Sequence, residues 1–217
     1  MFCAPFTSLA IAREYADECG FTVGAQNFYP APSGTFTGEI SLGMLKEIGV
    51  RVVLAGHSER RAIFNETDAF INEKVKAGLA ADMMVILCVG ETSEERESKK
   101  TAAVIKKQMT GGLAGITEKS FNQNARLVVA YEPVWAISGG DPNKPKPIAT
   151  QAQIEEAHGM IRSMLVKQFP NTFVPILYGG SANDKNAKEI FAMKDVDGAL
   201  VGGASLCPDK FSAVINA

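Results

Sequence analysis

The chain has 217 residues, 46% hydrophobic and 21% charged, the balance of an ordinary globular protein with a good core. A formal net charge of −2 excludes the strongly basic surface of a nucleic-acid or anionic-membrane binder. No apolar run approaches the roughly 18 residues that a membrane span needs.

The predicted elements alternate in type along the chain. Met1–Phe6 reads as a strand, Ser8–Cys19 as a helix with a Ser cap, Thr22–Asn27 as a strand, and Ser41–Ile48 as a second Ser-capped helix. Arg51–Gly56 and Met83–Gly90 are strands, with a helix over Glu66–Ala81 between them. Ser93–Met109 is a highly charged helix, and Arg126–Pro133 the next strand. Thr150–Phe169 repeats apolar residues at Ile154, Ala157, Ile161 and Leu165, one face of a helix. Val174–Gly180 and Gly198–Ala204 are the last strands, each followed by a helix, Asn183–Met193 and Pro208–Ile215. Several strands are continuous β-branched and apolar runs, as expected where both faces are buried. Regular alternation of this kind implies a parallel sheet covered by helices, and with no linker-like stretch the chain reads as one domain, residues 1–217.

Seven βα units are counted. Their polar and glycine-rich segments follow the strands: "HSERR" after the third, "GETSEE" after the fourth, "EPVWAISGG" after the fifth, "YGGS" at the sixth and "VGGAS" at the seventh. Chemistry gathered at the carboxyl ends of many strands fits the rim of a (β/α)8 barrel better than a single crevice in an open sheet. Glu132 stands directly after the apolar run "RLVVAY", where a carboxylate is costly to bury unless it is paired or used. His57 opens "HSERR", just past a strand and at the start of a short helix, whose N-terminus disfavours a cationic imidazole. His158 sits in the middle of a helix and reads as structural. The four cysteines have no ligand or CxxC spacing, so they read as reduced thiols in a cytoplasmic protein, and "MFCAPF" has no charged region of a signal peptide before it.

"GAQNFYPAPSGTFTGEIS", "AGHSERR", "CVGET", "AYEPVWAI", "LYGGS" and "LVGGASL", in this order, resemble the triosephosphate isomerase family over essentially the whole chain. The resemblance implies a TIM barrel that interconverts dihydroxyacetone phosphate and D-glyceraldehyde 3-phosphate through an enediolate, in glycolysis and gluconeogenesis, with no cofactor and no metal. It implies that Glu132 is the base and His57 a neutral electrophile, with Glu59 in a supporting role. That division of labour is a well-known property of the family and is not read off this chain. Ser138, Ser181, Gly202 and Gly203 correspond to phosphate contacts, and Pro133, Val134 and Trp135 to the hinge of a lid. Ser138 replaces the family's glycine, and the proline-rich Asp141–Pro147 stretch makes the lid longer than usual. Arg162 and Asp197 resemble a buried ion pair, and the loop tipped at Gly34–Thr37 resembles the segment that joins two subunits of a homodimer.

One family motif has no match, an Asn and a Lys flanking a Trp at the end of the first strand; the single Trp of this sequence is Trp135. "MFCAPF" resembles the second strand, so the expectation is a barrel truncated at its N-terminus, lacking its first βα unit, with two bare parallel edges and a weakened dimer. Loss of that lysine predicts that these residues alone are nearly inactive. The competing readings are a non-catalytic phosphate-binding descendant of the family and a different sugar-phosphate barrel isomerase or lyase.

Overall fold

The computed structural model describes residues 1–121, 126–137 and 147–217. In chain order its elements are β1 (Phe2–Ala4), α1 (Leu9–Cys19), β2 (Val23–Ala25), α2 (Leu42–Glu47), β3 (Val52–Ala55), α3 (Ser58–Ile63), α4 (Asp68–Ala80) and β4 (Met84–Val89). They continue with α5 (Ser93–Glu97), α6 (Thr101–Gly112), β5 (Arg126–Tyr131), α7 (Gln151–Gln168), β6 (Ile176–Tyr178), α8 (Ala187–Phe191), β7 (Gly198–Ala199) and α9 (Pro208–Ile215).

Two compact units emerge. The first comprises residues 1–87 and 111–128, the second residues 88–110 and 129–217, so β4 and β5 each contribute to both. In the first unit β1, β2, β3 and the start of β4 pair in parallel, in register Phe2 with Val23, Gly24 with Val52, and Val52 with Met84. α4 covers β3, burying Ile71, Val75 and Leu79. Each fully buried side chain of this size contributes about 1.5–3 kcal/mol. In the second unit β5, β6 and β7 pair in parallel, Tyr131 beside Tyr178 and Tyr178 beside Ala199. α7 lies on β6 with Ile154, Ala157, Ile161 and Leu165 buried, the face expected from the sequence. Among the described residues β1 pairs only with β2, and β7 only with β6.

β3, β4 and β5 are buried almost throughout, as continuous apolar runs require. Elsewhere the structure trims the sequence expectations. The charged helix is two helices, because Lys99 takes a left-handed φ of 57° after Ser98 ends α5. α4 begins at Asp68 and not at Glu66. Thr67 caps it, accepting from the Phe70 N–H at 3.2 Å, while Glu66 is drawn into ion pairs with Arg60 (2.6 Å) and the buried Lys74. Ser41 caps α2 through its side chain, but Ser8 makes no such bond before α1. β7 is two residues long, its successor residues turning instead into a short 3-10 helix at Gly203–Leu206. The Arg162–Asp197 pair forms but is only partly buried, with side chains 18% and 24% exposed; Arg162 also donates to the Val174 carbonyl at 2.7 Å.

Candidate active site

In the first unit, α3 begins immediately after His57, whose ring caps it. His57 Nδ1 accepts from the Glu59 backbone N–H at 3.4 Å. The Glu59 carboxylate also lies 3.7 Å from Nδ1, an ion pair only if the imidazole is charged. One nitrogen cannot donate to a carboxylate and accept from an N–H at the same time. The cap is the better assignment, since the Glu59 side chain is 74% exposed and its attraction is screened. In that arrangement Nδ1 is an acceptor, which leaves Nε2 as the ring nitrogen that can donate. Glu59 contributes to this through its backbone.

In the second unit, Glu132 follows β5 and is 2% exposed. Its N–H donates to the Val89 carbonyl at 2.7 Å, and the Gly179 N–H donates to the Tyr131 carbonyl at 2.7 Å. The residue is thus held between the ends of β4 and β6. Both neighbours there are glycines for steric reasons. A methyl group at Gly90 would overlap the Glu132 carbonyl, and one at Gly179 would stand 2.8 Å from Glu132 Cγ. Gly90, in the quoted "CVGET" segment, carried no expectation of its own, whereas the "YGGS" glycines were expected at a phosphate contact and Gly179 instead clears Glu132.

The segment expected from the resemblance to be a hinge follows directly. Pro133 precedes a 3-10 turn over Val134–Ala136, and the Val134 N–H donates to the Glu91 carbonyl at 3.0 Å. Trp135 is buried, and its indole N–H donates to Glu91 Oε1 at 2.9 Å while the Arg96 guanidinium lies 4.5 Å from its ring centre. Glu91 is itself wholly buried. It also accepts from the Tyr131 hydroxyl (3.1 Å to each oxygen), Arg96 (3.0 Å) and Thr101 (3.2 Å). Burial and this carboxylate push the Tyr131 phenol far above its ordinary pKa, so it stays a donor. Glu91 was not anticipated as the centre of these contacts, though it lies two residues past the buried β4 as Glu132 lies one past β5.

Ser181 is tied to the turn at Val134–Ala136. Its hydroxyl donates to the Ala136 carbonyl at 2.8 Å, and its N–H reaches the same oxygen at 3.2 Å. Gly202 precedes the 3-10 helix at Gly203–Leu206, and both glycines are exposed. A methyl at Gly202 would meet nothing within 4 Å, and the backbone there, with φ −89° and ψ −103°, is neither extended nor helical. Ser138 and most of the proline-rich stretch, residues 138–146, lie outside the described residues. His158 is fully buried, with Nδ1 2.9 Å from the Asp195 carbonyl, in the structural role expected of it. Among the described residues no group of three or more His, Cys, Asp or Glu could hold a metal ion, and no helix is long and apolar enough to cross a membrane.

The triosephosphate isomerase family model matches residues 1–217. The chain is 45% identical to the triosephosphate isomerase of Lawsonia intracellularis, over 98% of this chain and 82% of that protein. It is 46% identical to that of Carboxydothermus hydrogenoformans, over 99% and 83%. The crystal structure of triosephosphate isomerase from Bartonella henselae superposes with a TM-score of 0.86 at 37% identity, covering 99% of this chain and 84% of that one, which shows an α/β fold of the TIM-barrel type. A family model spanning the whole sequence and relatives at this identity and coverage establish that the chain belongs to the triosephosphate isomerase family.

Proposed function

We propose that the chain interconverts dihydroxyacetone phosphate and D-glyceraldehyde 3-phosphate, with Glu132 moving a proton between adjacent carbons. The observation that carries the reading is Glu132 itself, a carboxylate buried at the end of β5 between two strand ends that glycine keeps clear, in a chain of this family. A base so held needs no reorganisation before it reacts. His57, presenting Nε2–H, polarises the substrate carbonyl, and the backbone of Glu59 fixes its tautomer. Substrate phosphate is received by Ser138, Ser181 and the amides of Gly202 and Gly203. The open space around Gly202 supports this, because a ligand can approach the backbone closely there. The Pro133, Val134 and Trp135 hinge carries the lid. No cofactor is required.

The same reading makes residues 1–217 one barrel domain of a cytoplasmic glycolytic enzyme, homodimeric through the Gly34–Thr37 loop. It also holds that these residues by themselves, without an Asn-Trp-Lys strand end, work slowly and dimerise weakly. Removing one preorganised electrostatic donor costs about 10²–10³ in rate.

Deuterium incorporation into dihydroxyacetone phosphate in D2O, followed by proton NMR, tests both parts. The 217 residues alone should exchange at least about 10²–10³-fold more slowly than the same residues joined to a family-type first βα segment. Glu132→Gln should abolish exchange in the joined form. Family-like turnover by the 217 residues alone would sink the claim of slowness. A folded joined chain that binds inorganic phosphate but exchanges nothing would favour the non-catalytic reading.

A further inference from the structure

The peptide that joins Val89 to Gly90 is gripped at both ends. Its carbonyl accepts from the Glu132 N–H at 2.7 Å, and its N–H donates to Gln108 Oε1, also at 2.7 Å. Gln108 Nε2 donates in turn to the Gly90 carbonyl at 3.1 Å. One side-chain amide therefore matches both backbone groups of Gly90, as an opposed residue of an antiparallel strand would. Gln108 lies in α6, three residues past the buried Ile105.

We propose that Gln108 is a positioning residue for Glu132, acting through the Val89–Gly90 peptide. A trans peptide is planar, with its N–H and C=O pointing opposite ways, so a turn of one end is a turn of the other. The grip of Gln108 on the N–H thereby aims the carbonyl to which the Glu132 backbone is fastened. The two hydrogen bonds form one chain through the peptide, and each polarises the other.

Gly90 shows why a clamp is needed there. A Cβ at Gly90 would stand 1.8 Å from the Glu132 carbonyl oxygen and 3.2 Å from Glu132 Cα, so the residue has to be glycine for the two segments to meet. Glycine is also the residue least able to hold its own φ and ψ. A tie between α6 and the sheet could be made at any point along β4. It is made at the residue that lies against the backbone of Glu132. The inference rests on the reading of Glu132 as the base, because a base must be held in reach of its proton to be useful.

Gln108→Met keeps the length of the side chain and removes both hydrogen bonds. In the deuterium-exchange assay on the 217-residue chain, kcat should fall about tenfold with KM within about twofold, less than the about 10²-fold that a full ångström of misplacement costs. The through-hydrogen-bond NMR coupling between Glu132 N and the Val89 carbonyl carbon should weaken in the same variant. Ile105→Val thins the packing of the same helix. It should lower the urea midpoint while leaving kcat and the coupling as in wild type. If Gln108→Met does not fold, Gln108→Glu, which still accepts from the Gly90 N–H, is measured instead, with smaller losses in the same two quantities expected. An unchanged kcat or an unchanged coupling in the folded variant would overturn the proposal, and so would equal losses in Ile105→Val. A wild-type chain that exchanges nothing would count against Glu132 as the base, and the coupling would then decide by itself whether Gln108 holds that residue.

Discussion

Glu91 and Glu132 each stand directly after a buried strand, and their surroundings set them to different work. Four groups converge on the Glu91 carboxylate, two of them, Tyr131 and Trp135, from either side of Glu132. It is an anchor, and Glu91→Ala would leave the Tyr131 hydroxyl, the Trp135 indole and Arg96 without their acceptor. Removing one partner of a buried charged network costs about 3–5 kcal/mol. With Arg96 partly exposed we expect the lower end, read as a shifted urea midpoint together with a red-shifted Trp135 emission. Glu132 is instead framed by bare backbone. Gly179→Ala would press a methyl on its Cγ, for an expected loss of about 1–3 kcal/mol in unfolding experiments. Gly90→Ala, which collides with the Glu132 backbone carbonyl, should cost more than Gly179→Ala. The sequence drew attention to Glu132 because an acid next to an apolar run stands there within the contiguous "AYEPVWAI" motif. It did not expose Glu91 as an anchor, because its partners are spread from Arg96 to Trp135 and only strand register and helix placement collect them.

At the scale of elements, apolar periodicity located nearly every strand and helix, while polar contacts moved their ends. α7 kept its expected bounds to within a residue because Thr150 and Gln153 form a reciprocal cap, a signal written in adjacent residues. α4 lost its expected first turn because the partner that captures Glu66 is Lys74, eight residues on and buried. Burial holds the Lys74 ammonium below its ordinary pKa, and the hydrogen bond to Glu66 opposes this. The break between α5 and α6 had no apolar signature at all, since it falls in a run of charged residues. Lys99 takes φ of 57° there, where a side chain is strained. Lys99→Gly should therefore stabilise the chain by about 0.5–1 kcal/mol, a rise in melting temperature. A fall would mean that the lysine side chain repays the strain by a contact of its own.

Across the whole molecule, pH dependence gathers such local environments into one observable. His158 is buried, which lowers its pKa, with the Asp195 carbonyl opposing. In the unfolded chain the imidazole protonates near 6.5, and in the folded chain only further into acid. The unfolded state therefore binds more protons in that window. The contribution is complete above pH 6.5 and is lost as pH falls from there through the folded value. One such group gives a slope of at most about 1.4 kcal/mol per pH unit. Urea unfolding of wild type and His158→Phe between pH 7.5 and 5 should show a flatter profile for the variant. Parallel profiles would mean that His158 titrates alike in both states.

The sequence by itself determined the order and type of the elements, the parallel α/β class and the family, because hydrophobic period and contiguous motifs are local properties of a chain. Tertiary structure decided the rest: the glycines that clear a space for Glu132, the gathering of Tyr131, Trp135, Arg96 and Thr101 on Glu91, and the capture of Glu66 by Lys74. Each of these depends on which atoms from distant stretches come within about 3 Å of one another. That is fixed by strand register and helix packing, and no run of neighbouring residues records it.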